Sequence, residues 1–236
     1  MISRRRLSLK VRMEILKRRE IRCSSYSRLK VTHLVFNKFF ILFVSVSVLF
    51  SPAIYANEDT DVLPVKQQLH DSSVCSAAAQ QAGTEYGVGF DLLQIIAVVE
   101  SGKWDNLQNR FVAWPWTVNI KGKGHYFASK EEAVAAVKEA QAKGIKSIDV
   151  GCMQINMKYH GKAFSSIEDA LDPLKNVQYS AKFLRTLYKS SGRDWKVAAR
   201  RYHSRNLKEG QIYTKRLENR FESYRVAGLT RNMELF

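Results

Sequence analysis

Apolar residues recur along this chain with two different periods. From Ser72 onward Val74, Ala77, Ala78 and Ala82 fall three and four positions apart, the spacing that lines up one face of an α-helix. Gly83 and Gly87 then break the pattern. Asp91 stands where a cap would stand before LLQIIAVVE, whose Leu92, Ile95, Ile96 and Val99 make a second stripe. Glu100 comes at the end of that stripe, just ahead of Gly102. There the period shortens: WPWTVNI, a Gly-Lys-Gly turn at 122–124, and HYF predict a short hairpin. Helical spacing returns after Ser129, which with Glu132 has capping-box spacing, and runs through Ala133, Val134, Val137 and Ala140 to a stop at Gly144. IDVGCMQIN is too short and too interrupted by glycine to assign. Ser165 with Glu168 predicts a short helix, and Asp172 with Pro173 is a cap and first-turn pair for a longer one through Leu174, Val177, Ala181, Leu184 and Leu187. Asp194 caps WKVAARRYHS, and Ile212, Leu217, Phe221 and Tyr224 mark a last helix. These elements predict one mainly α domain (α+β) with a small β-hairpin over 72–226, followed by a tail at 227–236.

The segments before Ser72 have neither period. Residues 57–71, polar and acidic with one proline, predict a flexible linker. Residues 39–56 hold no charged group and begin with a run of 12 residues from Phe39 to Phe50. Small residues follow at Ser51, Ala53 and Ala56. A basic stretch, an apolar run and small residues, in that order, predict a signal peptide cleaved after Ala53 or Ala56. The basic stretch is long, which leaves open a start at Met13 or an uncleaved membrane anchor. Either way 1–56 is a leader, and the domain lies in the periplasm or outside the cell.

Composition alters this picture through the location of the charge. The chain has 236 residues with 38 Lys and Arg against 22 Asp and Glu, a formal net +16, which taken whole would suggest a nucleic-acid partner. Residues 1–38 alone carry 12 bases and two acids. The chain beyond residue 56 carries 26 bases and 20 acids, so the domain is only mildly basic and no nucleic-acid partner is expected. A hydrophobic fraction of 45% with four prolines excludes a disordered or collagen-like chain.

Export changes the reading of cysteine as well. Cys23 lies in the leader, and Cys75 with Cys152 remain in the exported part. In an oxidising compartment the two predict one disulfide, with two buried free thiols as the alternative. No cysteine pair or histidine pair has ligand spacing, so neither metal nor cofactor is expected.

Glu100 is the first candidate for chemistry. A carboxyl emerging where an apolar helix face ends would be partly desolvated, which raises its pKa and suits it to protonate a leaving group. An ordinary solvated carboxylate at a helix end is the alternative, although the helix dipole opposes that placement. Four stretches in order add to this: Val99-Glu100-Ser101-Gly102; Asp149-Val150-Gly151-Cys152-Met153-Gln154-Ile155-Asn156; Asp172-Pro173-Leu174-Lys175-Asn176-Val177; and Ala198-Ala199-Arg200-Arg201-Tyr202-His203-Ser204. Together they resemble the family 1 lytic transglycosylases with a lysozyme-like domain, in particular the small exported members associated with secretion or other cell-envelope machinery.

The resemblance implies a lysozyme-like fold and a peptidoglycan substrate cut without water, Glu100 being the single acid and base. It implies that Ser101 bonds near Glu100, that Met153, Gln154 and Asn156 line a sugar groove, and that Tyr202 orients Glu100. His203 departs from the asparagine common after that tyrosine in the family. Packing roles are the alternative for Met153 and Tyr202. Asp105 and Asp149 leave a second catalytic carboxylate open, Asp149 being read as a structural loop acid. Trp116 and Tyr126, on the expected hairpin, are candidates for stacking on sugar faces; a small hydrophobic cluster is the alternative. A hydrolytic muramidase of the same fold and a non-catalytic glycan-binding protein remain rival readings.

Overall fold

The computed structural model describes residues 62–236, with side chains from Lys66 onward. The leader 1–56 and its expected processing site lie outside the described residues. The elements run α1 (Val62–Tyr86), α2 (Phe90–Ser101), β1 (Gly102–Asp105), β2 (Arg110–Ala113), β3 (Thr117–Ile120), β4 (Lys123–Tyr126), α3 (Lys130–Ala142), β5 (Ile148–Val150), β6 (Ile155–Asn156), α4 (Met157–His160), a 3₁₀ turn (Gly161–Ala163), α5 (Ile167–Ala170), α6 (Pro173–Ser190), α7 (Trp195–His203) and α8 (Leu207–Val226). This is the mainly helical α+β fold that the periodicity predicts.

The helices enclose the larger core. In α2 Leu92, Leu93, Ile95, Ile96, Ala97 and Val98 are all buried, so the helix is apolar on nearly every side and α1, α8 and β2 pack around it. Burying side chains the size of Leu93, Ile95 and Ile96 stabilises the fold by roughly 1.5–3 kcal/mol each. α1 lies along α6, bringing Ala78, Ala79 and Ala82 into one cluster with Val177, Ala181 and Leu184. A smaller core forms between the sheet and α3, where Val118, Ile148 and Val150 meet Ala133, Val134, Val137 and Ala140.

The β region holds two antiparallel sheets. One is the hairpin β1–β2, and the other has the order β4-β3-β5-β6. The β3–β4 hairpin turns at Lys121 and Gly122, whose φ values of 51° and 83° are those of a two-residue turn, one residue earlier than the Gly-Lys-Gly sequence suggests. IDVGCMQIN resolves into β5, a turn and β6, with Val150 paired to Ile155.

Several boundaries differ from the sequence reading. α1 begins at Val62, so 57–71 is helical from there on rather than a flexible linker, and Gly83 lies inside the helix. Asp91 does not cap α2. The helix starts at Phe90, and Asp91, buried in its first turn, accepts the backbone N–H groups of Arg231 and Asn232 at 3.0 and 2.9 Å. That carboxylate ties down the tail at 227–236, whose Leu235 and Phe236 pack against the core. The cap of α5 is Ser166, which accepts from Asp169 N, rather than Ser165 with Glu168. Ser129, Asp172 and Asp194 do cap α3, α6 and α7.

A disulfide joins Cys75 on α1 to Cys152 in the β5–β6 turn, with Cα atoms 5.7 Å apart. Asn176 on α6 grips the same turn. Its Nδ2 donates to Val150 O (3.0 Å) and Ala170 O (2.9 Å), and its Oδ1 accepts from Met153 N (2.9 Å). Gly151 has φ 80°, and a Cβ there would stand 2.6 Å from Asn176 Nδ2, so both conformation and space require glycine.

Candidate active site

Glu100 is the last residue but one of α2, where the helix runs out of core. Its Ser101 neighbour is fully buried and donates from Oγ to Ala97 O (2.9 Å) and Cys152 O (2.8 Å), locking the helix end to the β5–β6 turn. Gly102 follows because a Cβ at that position would stand 2.2 Å from Val98 O. Ser101 therefore fixes the backbone under Glu100, and its hydrogen bonds go to carbonyls rather than to the carboxyl.

Two cavities meet at Glu100. One, of about 520 Å³, is lined by Asn119, Asp149, Gln154, Asn156, His160 and Tyr179 among others. The second, of about 490 Å³, is lined by Gly102, Phe111, Tyr126, Asn219 and Arg220. Val99, Glu100 and Arg216 belong to both, so the two form a groove with the carboxyl at its middle.

Burial pushes the Glu100 pKa up to about 7. The Tyr213 hydroxyl and the Arg216 guanidinium pull it down, and the nearby Asp149 charge pushes it up. Tyr213 is 1% exposed, and its hydroxyl makes no hydrogen bond of normal geometry. We take it as a donor poised towards Glu100 rather than a formed bond, because a buried hydroxyl without a partner costs roughly 1–3 kcal/mol and persists only for a reason. Burial also raises the Tyr213 pKa well above its ordinary value, so the phenol keeps its proton. His203 lies flat on the Tyr213 ring, centroids 4.4 Å apart, and burial lowers its pKa.

The β side supplies polar groups. Gln154 lines the groove with φ 46°, a conformation that costs a non-glycine residue about 1 kcal/mol. Its Nε2 holds Thr117 O and Gly151 O, both at 3.0 Å, which offsets that strain. Asn156 donates from Nδ2 to Asp149 Oδ1 (2.6 Å), while its own Oδ1 caps α4. Asp149 faces the groove, its pKa raised by burial against the effect of that hydrogen bond. Asp105 is buried, caps the β1–β2 turn through Leu107 N and Gln108 N, and lines neither cavity.

The expected site residues divide accordingly. Glu100, Gln154, Asn156, Tyr202 and His203 all line the first cavity. Tyr202 gives its proton to Met153 O (2.8 Å) and pairs with Ser180 Oγ (3.1 Å), so it braces the turn behind Gln154. Met153 is fully buried in the larger core. Tyr126 lines the second cavity and donates to Gly102 O (2.6 Å). Trp116 packs against the smaller core and lines neither cavity.

Sequence reasoning missed Arg216, Asn119, His160, Tyr179 and Phe183, all lining the groove, and Tyr213, buried in the core beneath it. Tyr213 precedes Leu217 by one turn on the buried face of α8, which is a packing signal and hides the hydroxyl's role. His160 bonds Tyr179 Oη through Nδ1 at 2.7 Å and meets Phe183 ring to ring, a pairing across 19 residues that no local pattern announces. Among the described residues no group of His, Cys, Asp and Glu has the arrangement of a metal site.

A family model described as the transglycosylase SLT domain matches residues 77–211. That span holds Glu100, the β5–β6 turn, Asn176 and Tyr202, and it ends just before Tyr213. No curated protein and no solved structure matches the chain.

Proposed function

The chain belongs to the transglycosylase SLT domain family, whose general activity is the cleavage of peptidoglycan, and we propose that it does so by a non-hydrolytic route with Glu100 as sole acid and base. One observation supports this above others: a carboxyl with its pKa raised to about 7 lies at the middle of a groove long enough to extend on both sides of it. At neutral pH a large share of Glu100 carries its proton and can deliver it to the oxygen between N-acetylmuramic acid and N-acetylglucosamine. As the C1–O4 bond breaks, the muramic C1 becomes oxocarbenium-like, and the substrate's acetamido group stabilises it. Glu100, now ionised and supported by Tyr213 and Arg216, takes the proton of the C6 hydroxyl. O6 bonds to C1, and the product is a 1,6-anhydromuramic end. Substrate groups thereby replace the second carboxylate that most glycosidases use.

Gln154 keeps its Oε1 as an acceptor, and Asn119 and Asn156 keep amide hydrogens as donors, for the hydroxyl and acetamido groups of the sugar chain. Asp149 favours a second reading, a hydrolytic muramidase, because it faces the same groove and feels the charge of Glu100. We further propose that the domain acts in the periplasm or outside the cell, behind the leader 1–56, and that a secretion or appendage apparatus is the machine for which it opens the wall.

Mass spectrometry of digested peptidoglycan separates the two chemistries. Anhydromuramic ends are expected, and predominantly reducing ends would reject the proposal in favour of hydrolysis. Glu100→Gln should lower fragment release at least a thousandfold with the circular dichroism spectrum unchanged.

A further inference from the structure

The two ends of the groove differ in charge. Beyond Glu100 on one side stand Asp149, Asn156, His160 and Tyr179. On the other side stand Asn219 and Arg220, with no acidic residue but Glu100 itself, while Arg216 lines both cavities beside Glu100. Arg216 and Arg220 follow Tyr213 on α8 at three- and four-residue spacing, so they continue along the helix face that approaches Glu100. Arg220 lies about 10 Å along the helix axis from Tyr213.

Arg220 has no acidic partner among the described residues, and Arg216 acts on Glu100 by its charge without forming a direct ion pair. Among the described residues the ion pairs use other cations, such as Lys196 with Glu218 and Arg225 with Glu222, and none involves Arg216 or Arg220. Both are nevertheless held in place. The Arg220 guanidinium sits over the Phe111 ring at 4.4 Å, and Arg216 Nη2 reaches Val99 O at 3.4 Å. A guanidinium fixed by stacking keeps its fork of donors free, and a planar fork matches a carboxylate through two parallel hydrogen bonds.

We propose that this end of the groove is a carboxylate-binding subsite that recognises the acidic peptide attached to muramic acid, so that the protein selects peptide-bearing glycan over bare glycan. The proposal rests on the reading of the groove as a peptidoglycan site. Sugar rings bring no charge to such a groove, whereas the stem peptide brings free carboxylates. Asp149 repels those at the opposite end, and Arg220 attracts them at this one, with Arg216 adding positive charge from the middle of the groove. The strand is thereby held in one direction across Glu100.

Binding can be measured without turnover by using the full chain with Glu100→Gln and soluble, uncrosslinked glycan strands. One sample keeps its stem peptides; the other has been stripped by an amidase, which leaves the lactyl carboxylate on every muramic acid. The peptide-bearing strands should bind at least tenfold more tightly, with a preference that shrinks as salt rises. Arg220→Gln should bring the two affinities within about threefold by weakening only the peptide-bearing complex, and Arg220→Lys, which keeps the charge and loses the fork, should fall between. Equal affinities in the parent would overturn the proposal, and so would an Arg220→Gln variant that weakens both complexes alike, because the arginine would then be reading the lactyl group or the glycan itself. The catalytic reading fails separately, through the absence of released fragments from the unmutated chain while the binding preference stands.

Discussion

The two walls of the groove are positioned by different physics. On the helical wall Glu100 and Tyr213 are placed by packing: α2 is buried almost all round, and Tyr213 is 1% exposed between its neighbours. On the β wall Asp149, Gln154 and Asn156 are placed by hydrogen bonds, from Asn156 to Asp149, from Gln154 to Thr117 and Gly151, and between Asn176 and the turn joining the strands, where it donates to Val150 O and accepts from Met153 N. Packing removes water and raises a carboxyl's pKa, which the acid needs. A hydrogen-bonded wall stays polar and holds its amides in fixed positions along the groove, which the sugar needs. The division of labour follows from what each kind of structure can do.

The two walls are joined at the β5–β6 turn, so the strongest perturbations are those that part them there. Opening the Cys75–Cys152 disulfide, which closes a loop of 77 residues, should lower the unfolding free energy by about 4 kcal/mol in the chain-entropy account. Urea unfolding with and without reductant measures it, and a loss under about 1 kcal/mol would mean that the turn is held by other contacts. Asn176→Ala removes three buried hydrogen bonds, those with Met153 N, Val150 O and Ala170 O. We expect a loss of about 3 kcal/mol, with kcat/KM on glycan falling further than the helix content at a temperature where the fold persists. Unchanged turnover in a destabilised protein would show that the β wall does not depend on this turn.

The contrast also explains what the sequence could disclose. Helix periods locate α2, α3, α6, α7 and α8, and with them the position of Glu100 at the end of an apolar stripe, because packing leaves a regular trace in the spacing of Leu92, Ile95 and Ile96. The hairpin β1–β2 left no such trace. Its eight strand residues include Lys103, Asp105 and Arg110, and its pairing depends on a turn capped by Asp105 rather than on alternation. IDVGCMQIN was equally opaque, since its conformation is dictated by Asn176 on another element. Motif order suggested Gln154 and Asn156, and the structure brings both to the groove. Tyr213 was invisible because a buried tyrosine on a helix face looks like core until its hydroxyl is found to lack a partner.

Tyr213 offers the smallest perturbation, confined to the helical wall. Its hydroxyl favours the ionised form of Glu100 and so holds the carboxyl's pKa below the value that burial alone would set. Tyr213→Phe keeps the ring stacked on His203 and removes only that donor. Glu100 acts first as an acid, so kcat/KM should fall as pH rises through about 7 in the unmutated protein. Without the donor the carboxyl's pKa rises, and the falling limb should move to higher pH. The rate should nevertheless drop about tenfold at the optimum, because the ionised carboxylate that must accept the C6 proton has lost a supporting hydrogen bond of about 1.4 kcal/mol. A limb that stays in place would mean that Tyr213 only packs, and a shift to lower pH would mean that its hydroxyl accepts from Glu100 rather than donating to it. Either result would leave Arg216, beside Glu100 at the middle of the groove, as the charge that steadies the ionised acid.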